Sequence, residues 1–191
     1  MQAGGANWRV LGAHETDDKG VRKPVRVLGI DPGFRLTGYG IVDTDGQQSR
    51  WIASGVIDAR RFDGTAERLA VIHQGVAEQI AEHRPTEMAV ERVFVAKNAD
   101  SALKLGQARA AAICASFGHD TAIAVHEYAA REVKQAIVGR GGAAKEQVAH
   151  MVCVLLGIDH DLQADAADAL GIALCHAHMR SASRRIAEAM S

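Results

Sequence analysis

The sequence predicts an α/β domain built on a mixed five-stranded sheet with helices on its two faces. Three observations carry that expectation. Short apolar runs, several rich in β-branched residues, recur near 25–31, 38–44, 51–57, 87–90 and 121–126. Longer stretches place apolar residues three or four apart, the clearest over 65–83. The resulting order is three strands, helix, strand, helix, strand and then helices, which sets helices against a mixed sheet.

The first strand reads Val25-Arg-Val-Leu-Gly-Ile-Asp31 and stops at Pro32-Gly33, where proline cannot donate to a ladder and glycine permits a positive φ. Asp45-Gly46 is a turn signal between the second and third runs, so the domain opens with three successive antiparallel strands. Over 65–83, Ala66, Leu69, Ile72, Val76 and Ile80 share one face, and Arg84-Pro85 ends the helix. Glu87-Met-Ala-Val90 is a short strand running into Glu91. A helix over 98–117 can take Asn98 or Asp100 as its N-cap. Helices over 128–138 and 143–156 flank Gly139-Arg-Gly-Gly142, and a last helix runs from near Gln163 through Met179.

Composition narrows the function classes. A chain of 191 residues is long enough for a full core. Its net charge of −1 means that nucleic-acid binding needs a local basic patch. Cys114, Cys153 and Cys175 are far apart in apolar helical contexts without a CxxC pair, so core thiols in a reducing cytoplasm are expected rather than a zinc site or disulfides. No apolar run reaches membrane-spanning length. Residues 1–24 are polar and are read as a flexible N-terminal extension.

Four acids stand out. Asp31 and Glu91 end two core strands, and Asp165 and Asp168 lie three apart in the first turns of the last helix. Each has an ordinary reading: a turn cap, an exposed strand end, a pair complementing the helix dipole. The Ala and Leu around the helix pair argue for burial, and close carboxylates in an apolar setting repel until a cation or proton relieves them. If that helix packs on the two strand ends, the four acids form an all-oxygen site. Such a site suits Mg²⁺ or Mn²⁺, and two such ions support in-line attack on a phosphodiester.

Leu28-Gly-Ile-Asp-Pro-Gly-Phe-Arg-Leu-Thr-Gly-Tyr-Gly40, the run from Val90 to Arg109, and Gln163-Ala-Asp-Ala-Ala-Asp-Ala-Leu170 together resemble the RuvC family of Holliday-junction resolvases. The resemblance covers about 25–179. It implies an RNase H-like fold over 25–181, with 182–191 a short tail. It also implies a homodimer, Mg²⁺-dependent paired nicking of four-way DNA junctions, and the branch-migration proteins RuvA and RuvB as partners. Asp31, Glu91, Asp165 and Asp168 take the acidic roles in that comparison, and Lys134 and Lys145 resemble basic residues facing the scissile backbone. Arg131 and Arg140 add charge to the same region. Phe94 is placed either to stack on an unpaired base or to anchor the core. Ala143-Ala144 and Arg140 depart from the family's loop pattern. His176 and His178 on the last helix either approach the site or, as is more usual, lie on the helix surface.

Rival readings remain. A phosphotransferase of the actin and sugar-kinase type also uses an Asp-x-Gly turn, but needs a second lobe. A non-catalytic DNA-binding protein does not need all four acids. Another RNase H-like nuclease, acting on RNA or other branched nucleic acid, shares the metal chemistry. For the dimer, Ala102, Gly106 and Ala110 form a small-residue stripe that either meets a second copy or lies on its own sheet.

Overall fold

The first strand, β1 (Val25–Asp31), feeds two cores because successive side chains point to opposite faces of a sheet. Val27 joins one cluster, while Leu28 and Ile30 join the other. The computed structural model describes residues 24–92, 98–117 and 123–190. Antiparallel to β1 runs β2 (Leu36–Thr44), followed by β3 (Ser49–Asp58). The Asp45 carboxylate accepts from the Gln47 and Gln48 amides at 2.7 and 2.8 Å, and Gly46 takes a φ of +89°, closing the expected turn. On the other side of β1, β4 (Glu87–Glu91) and β5 (Ala124–Tyr128) add in parallel, giving a five-stranded sheet of order β3-β2-β1-β4-β5.

Helices cover both faces. On the Leu28 and Ile30 side lie α1 (Thr65–His83) and α2 (Ala99–Cys114). Ile72, Val76 and Ile80 of α1 are the buried members of the predicted stripe. The Asn98 side chain, rather than Asp100, caps α2 by accepting from the Asp100 and Ser101 amides. The opposite face is covered by α3 (Ala130–Val138), α4 (Lys145–Leu156) and α5 (Ala164–Ala189).

What positions the site is how closely α5 lies on β1 and β2. A Cβ at Gly29 would sit 2.1 Å from the Ala169 carbonyl oxygen, and one at Gly38 would sit 1.9 Å from that of Asp165. At Gly40 it would meet the Leu170 side chain at 2.7 Å. Three glycines on one face of two neighbouring strands thus make a trough, and Ala166, Ala169 and Ala173 of the helix are buried near it. The helix backbone rests almost directly on the strands.

Several boundaries differ from expectation. Tyr128 ends β5 instead of opening α3, which begins at Ala130 with the Glu132 carboxylate accepting from the Ala129 amide at 2.6 Å. The last helix continues beyond Met179 to Ala189, so residues 182–189 are helical rather than a tail. Their Ala, Arg and Glu content favours helix. Of the cysteines, Cys175 is buried, Cys153 half-buried and Cys114 exposed, so the expectation of three core thiols holds fully for Cys175 alone. The α2 stripe faces away from the sheet: Ala108 and Ala112 are buried, while Gly106 and Ala110 are exposed and Leu103 is 63 % exposed.

The trough predicts opposite outcomes for two glycines. Gly29→Ala forces a methyl into the α5 backbone and lowers unfolding stability by about 3 kcal/mol. Gly106→Ala meets nothing within 4 Å and raises it by roughly 0.5–1 kcal/mol through helix propensity. Urea denaturation of the two variants, with equal m-values, checks both.

Candidate active site

Asp31 ends β1 opposite Gly38, and β1 pairs with β4 through Ile30 and Val90, so Asp31 and Glu91 end neighbouring strands. Alternation puts Val27, Gly29 and Asp31 on the α5 face, together with Glu87, Ala89 and Glu91 of β4. The turn after Asp31 is hooked by Thr37, fully buried, whose hydroxyl donates to the Gly33 carbonyl at 2.9 Å and accepts from its amide at 3.3 Å. Gly33 is not in the left-handed region. It is small because a Cβ there would lie 2.0 Å from the Leu36 carbonyl oxygen.

The first turns of α5 bring the remaining acids to the same end of the sheet. Burial, followed by the neighbouring charges of Glu91, Asp168 and, more weakly, Asp165, pushes the Asp31 carboxyl up to about 8. Glu91 is also raised, first by burial and then by Asp168, against the pull of Lys145, a hydrogen bond with Asp31, and Lys134. Carboxyls this close hold protons because ionising all of them in a partly dry site is costly. All four acids therefore stand at one end of the sheet, near enough for the charges of Glu91, Asp168 and Asp165 to act on Asp31, and their donor atoms are all oxygen.

Two lysines face the cluster. Lys145, at the head of α4, donates to the Asp168 carboxylate at 2.7 Å, and this bond raises its own pKa. Lys134 of α3 donates to the Ala143 carbonyl at 2.8 Å, which ties α3 to the loop before α4. Both line a small pocket with Glu91, Asp168, Val133, Val148 and Ile172. Arg131 and Arg140 do not line it. The Arg131 stem lies against Gly141, where a Cβ would come within 2.4 Å, and Arg140 is exposed on the loop. Phe94 and residues 1–23 lie outside the described residues.

Other groups support the site or depart from expectation. Arg109 of α2 donates to the Glu91 carbonyl at 3.2 Å and pairs with Glu127 of β5 at 2.5 Å, bracing the strand end that carries Glu91. His176 corrects an expectation. It is 2 % exposed, not a surface residue, because its side of α5 lies on the sheet. Its ring bonds Glu87, at the opposite end of β4 from Glu91, at 2.5 Å, and the hydroxyl of Tyr128, the β5 residue paired with Glu91, at 2.6 Å. His178 is exposed, as expected. Burial holds the His126 imidazole below its ordinary range. Contacts between residues 18 apart for Arg109, and 48 and 89 apart for His176, leave no local pattern, so these partners were invisible to periodicity.

A family model described as Crossover junction endodeoxyribonuclease RuvC matches residues 27–176. The chain belongs to the RuvC family. The RuvC of Methylococcus capsulatus is 56 % identical over 161 residues, which are 84 % of this chain and 95 % of that protein. The RuvC of Marinobacter nauticus is 54 % identical over 161 residues, 84 % of this chain and 90 % of its own. The structure of Thermus thermophilus RuvC in complex with Holliday junction substrate superposes with a TM-score of 0.77 at 36 % identity, covering 83 % of this chain and 96 % of that one. The sheet order and helix placement are those of an RNase H-like resolvase.

The raised carboxyls make stability depend on pH. The folded chain keeps the Asp31 proton up to about pH 8, while the unfolded chain releases it near its ordinary 3.8. Unfolding is therefore favoured progressively as pH rises between those values, by on the order of a few kcal/mol. Denaturation in EDTA at pH 5 and pH 8 should show this loss. Asp31→Asn should flatten the slope, and so should Mg²⁺. A wild-type slope equal to that of Asp31→Asn refutes the assignment.

Proposed function

We propose that this protein is a crossover junction endodeoxyribonuclease that resolves four-way DNA junctions in recombination and repair. The observation that carries it is the charge coupling of Asp31 with Glu91, Asp168 and Asp165 at one end of the sheet, in a chain of the RuvC family. The T. thermophilus relative is described in complex with Holliday junction substrate, which supports the same substrate class here.

Asp31, Glu91, Asp165 and Asp168 would hold Mg²⁺, with Mn²⁺ able to substitute, as two ions per site. The fit rests on the oxygen donor set and on the raised Asp31 and Glu91 carboxyls, which burial and then neighbouring negative charge push up, so that a cation would relieve them. Ions bound there supply an activated water and charge stabilisation for the leaving 3′-oxygen. Lys134 lines the same pocket as Glu91, which supports a role in meeting negative charge that grows on the scissile phosphate. Lys145 holds Asp168 and neutralises part of the cluster. Arg131, Arg140 and Lys145 supply the local basic patch that a chain of net charge −1 needs for backbone contacts. Phe94 is assigned to stacking on an unpaired base near the crossover.

Paired symmetric nicks need two clusters, so we propose a homodimer whose two-fold matches that of the junction. The exposed face of α2, with Leu103, Gly106 and Ala110, is the proposed contact. RuvA and RuvB are the proposed partners, in the cytoplasm. Among the described residues no helix is long and apolar enough to cross a membrane.

The deciding assay is Mg²⁺-dependent cleavage of a synthetic four-way junction beside linear duplex and an RNA–DNA hybrid. Preference for the hybrid would make this a nuclease of a different substrate class. Asp168→Asn should abolish cleavage and retain junction binding in a gel-shift assay. Lys134→Ala should lower kcat by roughly 100-fold with little change in junction affinity. A mixed dimer with Asp31→Asn in one subunit should cut one strand only. If it cuts both within one binding event, the symmetric model is wrong.

A further inference from the structure

At the far end of β4 the same sheet face carries a second group of metal-ligating side chains. Glu87 begins β4, His126 lies on β5 beside Ala89, and His176 comes from α5. Glu87 and Glu91 share a face four residues apart on one strand, about 13 Å along it, with His126 between their levels, beside Ala89. One ligand atom from each of Glu87, His126 and His176 lies within 4.8 Å of the others. The small Ala89 between Glu87 and Glu91 leaves the space that the two imidazoles occupy, with ring centroids 4.4 Å apart.

We propose that Glu87, His126 and His176 form a second metal site, for a transition-metal dication of the zinc class, which ties α5 to β4 and β5. Its two imidazoles and one carboxylate are a nitrogen-rich set, unlike the all-oxygen cluster at the other end of the strand, and they favour Zn²⁺ over Mg²⁺. A tetrahedral ion with bonds of about 2.0–2.1 Å separates its ligand atoms by about 3.3 Å. The Glu87–His176 contact must open from 2.5 Å and the widest separation close from at most 4.8 Å, which are side-chain adjustments.

The surrounding groups already orient these ligands. The Tyr128 hydroxyl bonds the other His176 nitrogen at 2.6 Å, and Arg180 donates to the other Glu87 oxygen at 3.0 Å. Partners on the outer atoms of a histidine and a carboxylate are what hold a metal's ligands in place. Tyr128 can donate or accept. With the hydroxyl donating, His176 presents a proton to Glu87. With the bond reversed, it presents a lone pair. The network can therefore exchange a proton for a cation, with the hydroxyl proton of the half-buried Tyr128 turning away from the ring. Three protein ligands leave a fourth position for water, and Glu87 and His126 are open enough for an ion to enter.

Zn²⁺ titration of the full chain in excess Mg²⁺, against a chromophoric chelator, tests the site. The expected result is one Zn²⁺ per chain with a raised melting temperature. Affinity should fall at least tenfold in His126→Gln and in Glu87→Gln, and should persist in Asp168→Asn. Imidazole ¹H–¹⁵N spectra of the wild type give a second readout that does not depend on how the variants fold: Zn²⁺ should shift His126 and His176 and spare His178. Binding that is absent in excess Mg²⁺, is unchanged in His126→Gln, or is lost in Asp168→Asn overturns the proposal. The cluster is then a hydrogen-bonded clamp, or the zinc sits among the catalytic carboxylates.

Discussion

The close approach of α5 to β1 and β2 is the contact on which the rest depends. Gly29, Gly38 and Gly40 remove the side chains that would hold a helix off a sheet, and Ala169 and Ala173 do the same from the helix side. Helix and strand are thereby locked in register at backbone distance, where sliding by a fraction of a residue would produce clashes. Asp165 and Asp168 sit in the first turns of this helix, so their placement against Asp31 follows from the trough. The four acids are carried by the ends of regular elements, two strands and a helix.

The electrostatics follow from the same packing. Bringing α5 down on the strand ends buries Asp31 and crowds it with Glu91 and Asp168, so the folded chain stores charge repulsion at one end of the sheet. Lys145 relieves part of it through Asp168, and the charges of Lys134 and Lys145 both favour ionised Glu91. A site that costs stability when ionised is tuned to receive cations, which is the sense in which binding and folding are coupled here. At the other end of β4, Glu87 is treated differently. Arg180 and His176 satisfy it, and its carboxyl is held below the ordinary range despite burial. One strand thus carries two carboxylates on one face in opposite electrostatic states.

Much of this was legible before any coordinates. The first four apolar runs, the Asp-Gly turn and the 3.6-residue stripe of α1 are local signals that map onto elements with nearly the expected bounds, while the fifth run, expected over 121–126, is described as a strand over Ala124–Tyr128. Boundaries slipped where tertiary contacts outweigh local preference. Tyr128 extends β5 because Arg92 donates to its carbonyl at 2.7 Å across the sheet, and α5 outlasts its apolar stripe because its last residues are good helix formers. The α2 stripe was ambiguous by periodicity because small residues occupy more than one face of that helix, and burial of Ala108 and Ala112 decides which face meets the sheet.

By itself, the sequence determined the residue types at the chemistry-bearing positions and their assignment to strand ends and a helix start. It also determined the family, because motif order and spacing are properties of the chain. Only the tertiary structure decided that the acids converge, that Lys145 bonds Asp168, that Arg109 braces Glu91, and that His176 turns inward to Glu87. These depend on how far a helix stands from a sheet and at what rotation. Those two quantities are set by side-chain volume summed over many contacts between residues distant in the chain. No short window of sequence carries that sum.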